Sequence, residues 1–113
     1  MSKQYRSEHL YEWMVEVRRA LHRHPELAFE EVETAKRLMA ELDSLGVPYD
    51  YAGPGNGVIG RLTCNNPDAP TFAVRADMDA LPGGENTDLP FASTVEGKMH
   101  ACGHDAHMTM VLG

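Results

Sequence analysis

The sequence is poor in the residues that build secreted scaffolds, nucleic-acid surfaces and membrane spans. It holds two cysteines, Cys64 and Cys102, in 113 residues, too few for a disulfide framework. The two could pair, but a reducing compartment and the histidine-rich setting of Cys102 point to free thiols; Cys64, at an expected strand end, is read as a space filler. Basic side chains are also scarce, with 10 Lys and Arg against 17 Asp and Glu and a net charge of -7. Apart from Arg18-Arg19 and Lys36-Arg37 they are scattered, which excludes nucleic acid or an anionic membrane as the main partner, because phosphate surfaces need clustered cations. No apolar run approaches the roughly 20 residues that span a bilayer. Ser2-Lys3-Gln4-Tyr5-Arg6 leads straight into a polar helix rather than an apolar leader, so the expected address is the cytoplasm. The 42% apolar content is enough for the core of at most one domain.

What is present reads as alternating helices and strands. Leu10, Met14, Val17 and Leu21 recur at spacings of four, three and four, with Trp13 broadening the stripe. This predicts a helix from after Ser7, a good N-cap, to about His22. Pro25 prevents its continuation. His22 and His24 suit a helix C-terminus through the backbone dipole, and a chemical role for them is left open. Val32, Ala35, Leu38, Met39, Leu42 and Leu45 predict a second helix over 30–45, with Glu30, Glu31 and Glu33 at its positive end and Gly46 to stop it. Strands are expected over 47–51 and 58–64, separated by the turn at 53–57.

Thr71-Phe72-Ala73-Val74-Arg75-Ala76 is nearly continuous in apolar character, as in a strand buried on both faces of a sheet. It ends in Asp77-Met78-Asp79-Ala80-Leu81-Pro82, two carboxylates where a central strand would emerge, and ligands of open α/β sheets bind at such strand ends. In extended backbone Asp77 and Asp79 share one side, fit to hold a metal ligand or a cation. The same residues would also serve simply to begin a turn. Residues 83–99 read as a long loop, a length more often functional than idle.

The densest chemistry lies in Met99-His100-Ala101-Cys102-Gly103-His104-Asp105-Ala106-His107. A single cysteine is ordinarily a small buried hydrophobe and a single histidine a hydrogen-bonded core residue. Together, Cys102 and His104 flank one glycine and can swing toward one point, offering thiolate and imidazole to zinc or another first-row metal. Asp105 is placed to orient an imidazole from behind. Two ligands do not close a site, so others must come from elsewhere. Ala106, Met108, Met110, Val111 and Leu112 open a third, apolar helix that breaks off at Gly113, as in a chain cut from something larger.

Four ordered blocks resemble the M20 metallopeptidase family: Leu21-His22-Arg23-His24-Pro25-Glu26-Leu27 with Phe29-Glu30-Glu31, then 75–82, then Leu89-Pro90-Phe91-Ala92-Ser93, then 97–105. The nearest branch is that of the amidohydrolases of N-acyl amino acids, such as hippurate hydrolase. The resemblance implies an α/β fold with a mixed sheet flanked by helices, of which residues 1–113 are the N-terminal part of a catalytic domain, truncated before the rest of the sheet and a lid or dimerisation domain. It implies a homodimer using two divalent metal ions, manganese or zinc, to cleave the amide bond of an N-acyl amino acid or small peptide. Cys102 and His104 become metal ligands, with Cys102 bridging, and Asp77 or Asp79 becomes the active-site aspartate. Asp79 stands where the wider family keeps the aspartate of its His-x-Asp motif and Asp77 where it keeps the histidine. The His-x-His-Pro-Glu-Leu block is a family marker with no mechanism attached. The general-base Glu and further ligands lie downstream in the family, so the fragment alone is expected to be inactive. Gly83-Gly84 and Asp88 depart from the usual pattern, which bears on substrate range. The competing reading is a non-catalytic remnant that binds metal weakly or self-associates through its unpaired sheet edge.

Overall fold

The computed structural model describes residues 3–113, with side chains from Glu8 onward. Helix α1 runs Lys3–Arg23. It starts before the expected cap, so Ser7 lies within it rather than at its end. Of its apolar stripe, Val17 and Leu21 are buried while Leu10 is exposed, so the C-terminal half carries the packing. Helix α2, Val32–Leu45, stops at Gly46 as the sequence predicts. Gly46 takes φ 69°, and Val47 N–H returns to the Leu42 carbonyl at 2.9 Å, a Schellman closure that glycine allows without strain. Its start lies two residues later than expected because the acceptor for its free N–H groups comes from outside the helix. Glu26 accepts hydrogen bonds from the amides of Val32 (3.2 Å), Glu33 (3.1 Å) and Thr34 (2.6 Å) and from the Thr34 hydroxyl (2.6 Å).

Strands β1, Tyr49–Tyr51, and β2, Val58–Gly60, form an antiparallel hairpin with Asp50 opposite Ile59. Both are shorter than the sequence suggests. Strands β3, Leu81–Pro82, and β4, Lys98–Met99, pair antiparallel, so the expected loop over 83–99 ends in a short strand. The apolar run at 71–76 is not a strand. Phe72 is 86% and Val74 77% exposed, because a strand exists only where neighbouring backbone satisfies its N–H and C=O groups, and nothing among the described residues pairs with it. Cys64 is likewise exposed, its thiol donating to the Asn66 carbonyl at 3.5 Å, and fills no core space. Helix α3 spans His104–Leu112.

The chain thus combines α-helices with small sheets, in keeping with the α/β expectation. Val17 and Leu21 of α1, Leu38 of α2 and Met108 of α3 make the core, with Ala76 and Met78 packed against it. The core brings the two halves of the site together: the strand-end aspartates follow Ala76, and the Cys-Gly-His turn precedes α3.

Candidate metal centre

The His-Pro-Glu-Leu block lies directly against the strand-end block. Ala80 N–H donates to the Glu26 carbonyl at 2.7 Å, and Leu27 and Ala80 form an isolated parallel bridge. This holds Asp79 in place, and Asp79 in turn holds His104. The His104 Nδ1 lies 2.8 Å from the Asp79 carbonyl oxygen and 3.1 Å from its carboxylate. A carbonyl can only accept, so Nδ1 carries the hydrogen, and in the neutral ring the lone pair is left on Nε2, the form in which histidine binds a metal. Nε2 faces the Asp77 carboxylate at 3.9 Å, whose other oxygen is paired with the Arg75 guanidinium.

The structure therefore brings two of the four expected site residues, Asp77 and Asp79, to the imidazole of a third, His104. The fourth, Cys102, stands across Gly103, exposed and reduced, and makes no hydrogen bond or ion pair among the described residues. Gly103 adopts φ 101° between the two donors, a conformation that side chains resist. A thiol, a lone-pair nitrogen and nearby carboxylates fit the donor chemistry of a first-row divalent ion. Among the described residues, no group of three or more His, Cys, Asp or Glu converges to hold such an ion. Beside Asp77 and Asp79 opens a cleft of about 360 Å³, flanked by Phe29, Glu31, Asn56 and Arg75.

Asp105 orients an imidazole, as the sequence suggests, but the ring is His22. The His22 Nδ1 is 2.7 Å from Asp105 Oδ2, and its Nε2 is 2.8 Å from Glu85 Oε1. Arg18 Nε donates to the same Asp105 oxygen at 2.9 Å. Burial pushes the Asp105 carboxyl up, but the His22 hydrogen bond and the Arg18 charge outweigh it and hold it below the ordinary range. Burial likewise acts upward on Glu85, and the Thr87 hydroxyl, Ser93 N–H and His22 bring it below its usual value. The ring thus bridges two carboxylates, one at each nitrogen, with the Arg18 guanidinium on the same Asp105 oxygen. His22 lies in the last turn of α1, as the sequence suggests, but it is also buried in this cluster, 4% exposed, with Phe91 edge-on to its ring at 5.7 Å. Burial holds His100, 6.5 Å from it, below the usual histidine range.

Arg18, Glu26 and Glu85 were not singled out by sequence. Arg18 and His22 are one turn apart beside the buried Val17 and Leu21, a polar pair flanking the apolar stripe, and that pattern marks them. Glu26 and Glu85 sit outside the helices; Glu26 belongs to the marker block, which gives no hint of its capping role, and Glu85 carries no local signal.

The description "Peptidase family M20/M25/M40" matches residues 73–113, which include the strand-end aspartates and the Cys-Gly-His turn. The chain is 47% identical over 108 residues to IAA-amino acid hydrolase ILR1-like 2 of Arabidopsis thaliana, covering 96% of this chain and 24% of that protein. It is 46% identical over 101 residues to N-acetylcysteine deacetylase of Bacillus subtilis, covering 88% and 26%. It superposes on the crystal structure of the Bacillus subtilis YXEP protein, a dinuclear metal binding peptidase from the M20 family, with TM-score 0.88 and 43% identity, over 94% of this chain and 30% of that one. The chain spans about a quarter of the length of these curated relatives. Four sequence blocks that meet at one imidazole and one buried ion cluster, on a backbone shared with a dinuclear peptidase, lead to one conclusion: residues 73–113 match the M20 peptidase family, and the chain is similar to part of its members.

Proposed function

We propose that the full-length protein is a metal-dependent hydrolase of the amide bond in N-acyl amino acids or small peptides, and that Cys102 and His104 bind its metal. The observation that carries this is the hydrogen bond from His104 Nδ1 to the Asp79 carbonyl, which leaves Nε2 as a donor one residue from an exposed thiol. The relatives' names support the amide chemistry, since they describe an amino-acid-conjugate hydrolase and a deacetylase. The YXEP protein, a dinuclear metal binding peptidase, supports a pair of ions, for which we propose manganese or zinc.

Within this reading the chain's own groups bind and orient. His104 and Cys102 would hold the metal; Asp79 fixes the His104 tautomer; Asp77 faces the same imidazole and adds negative charge where a cation would sit. When bound, such ions polarise an amide carbonyl and acidify a water. The proton passing from water to the leaving amine needs a general base, which we assign to a Glu outside these 113 residues. Residues 1–113 are then the N-terminal portion of a catalytic domain, and we expect them to be inactive alone. We extend the proposal to a cytoplasmic homodimer. The acidic composition and the absence, among the described residues, of a helix long and apolar enough to cross a membrane are compatible with it.

The test is turnover of a panel of N-acyl amino acids and dipeptides by the full-length protein loaded with Mn²⁺ or Zn²⁺. Release of the free amino acid, abolished by chelation, is expected. No hydrolysis of any member, with metal bound at full stoichiometry, would sink the assignment.

A further inference from the structure

The two donors straddle Gly103, the residue type least able to fix its own backbone, so the geometry of the turn must be imposed from outside it. On one side Asp105, immediately after His104 and 0% exposed, anchors the first turn of α3. Its carbonyl accepts the Thr109 hydroxyl at 2.8 Å and its carboxylate receives His22 and Arg18. On the other side the buried His100 ring lies beside the same His22. Glu85 ties the second face of His22 to the loop at 85–93 by accepting the Ser93 amide at 3.1 Å. A single α1 side chain thus fastens the α3 flank of the donor turn and the loop before it, with the His100 ring lying alongside.

We propose that His22 is a positioning residue for the metal centre: through Nδ1 it fixes Asp105, and so the angle at which His104 and Cys102 are presented to the ion. The Nε2 contact with Glu85 fastens the loop and is separate from this task. The inference rests on the reading of Cys102 and His104 as metal donors. Ligand-orienting groups behind a metal shell are worth about 10- to 100-fold in affinity when removed.

The two ring nitrogens can be separated by substitution, because an Asn amide nitrogen stands near the place of Nδ1 and a Gln amide nitrogen near that of Nε2. The experiment is Zn²⁺ titration of the metal-stripped full-length protein against a competing chelator, with Co²⁺ absorption as a report on thiolate geometry and melting of the metal-free forms as a stability control. Expected for H22N is Zn²⁺ affinity within about 3-fold of the parent. H22Q should lose about 10- to 100-fold and shift its Co²⁺–thiolate band, in line with the usual cost of disturbing ligand orientation. Equal affinity in all three proteins, equal loss in both variants, or a larger loss in H22N overturns the proposal. Should H22Q fail to fold, Asp105→Asn takes its place, since its one remaining oxygen cannot serve both His22 and Arg18 with charge; unchanged Zn²⁺ affinity there overturns the proposal equally. Retention of metal by C102A and H104A would mark failure of the ligand assignment itself, whereas loss in those two with none in H22Q would mark failure of this inference alone.

Discussion

Replacing Glu26 tests whether the start of α2 depends on a carboxylate six to eight residues upstream. Three of the four amides that an α-helix leaves without an internal partner, those of Val32, Glu33 and Thr34, donate to this one side chain. Glu33 is exposed, so water replaces its lost bond at little cost. Thr34 is 3% exposed, and both its amide and its hydroxyl bond to Glu26 at 2.6 Å. In Glu26→Ala these two groups lose their partner out of reach of water, at about 1 kcal/mol or more each, and the exposed amides add about 1 kcal/mol of lost capping. The total is about 3 kcal/mol, which corresponds to about a 100-fold faster local opening. Glu26→Gln keeps one acceptor oxygen and should show about half that free energy. The pH dependence has a definite sign. Burial acts to raise the Glu26 carboxyl, but the bonds from Thr34, Glu33 and Val32 outweigh it and bring its pKa below 4.5. The contribution is therefore present above the unfolded value and is lost as pH falls through the lower folded value. The assay is amide hydrogen exchange of the full-length protein at residues 32–34, in parent and variants, at pH 7 and near pH 3. Exchange within 3-fold of the parent in Glu26→Ala at pH 7, or a difference between parent and Glu26→Gln that grows on acidification, would refute the reasoning.

Removing either donor should empty part of the metal centre. C102A and H104A each are expected to bind Zn²⁺ at least about 100-fold more weakly than the parent, given the affinity a thiolate or imidazole contributes, and only H104A should keep a Co²⁺–thiolate band. Unchanged metal content after dialysis of both variants would contradict this. At Gly103 a Cβ would meet the His107 Nε2 at 3.8 Å, an ordinary contact, while φ stays at 101°. The cost of Gly103→Ala is therefore conformational, about 1–2 kcal/mol. It should appear as a lower melting temperature together with weaker Zn²⁺ binding; an unaltered melting temperature would show that the turn is not strained.

The helices were legible from the sequence because their information is local: an apolar stripe at Leu10, Met14, Val17 and Leu21, and a glycine after Leu45, speak for themselves through periodicity and backbone freedom. The juxtaposition of Cys102 and His104 was legible for the same reason, being two chemically unusual residues around one glycine; their binding of a metal is a proposal. The run at 71–76 was misread as an established strand, since apolar character marks a segment as buried by something without supplying the neighbours that bury it. The purpose of the His-Pro-Glu-Leu block was also hidden. Glu26 acts on a helix that begins at Val32, and His22 on an aspartate 83 residues away, and no pattern along the chain encodes a partner so distant. Composition and spacing thus determined which atoms are available for chemistry. Which nitrogen of His104 is left for a metal, and which imidazole Asp105 grips, were decided only when the folded core brought α1, the strand end and α3 together, because a hydrogen bond depends on position in space and not on separation in sequence.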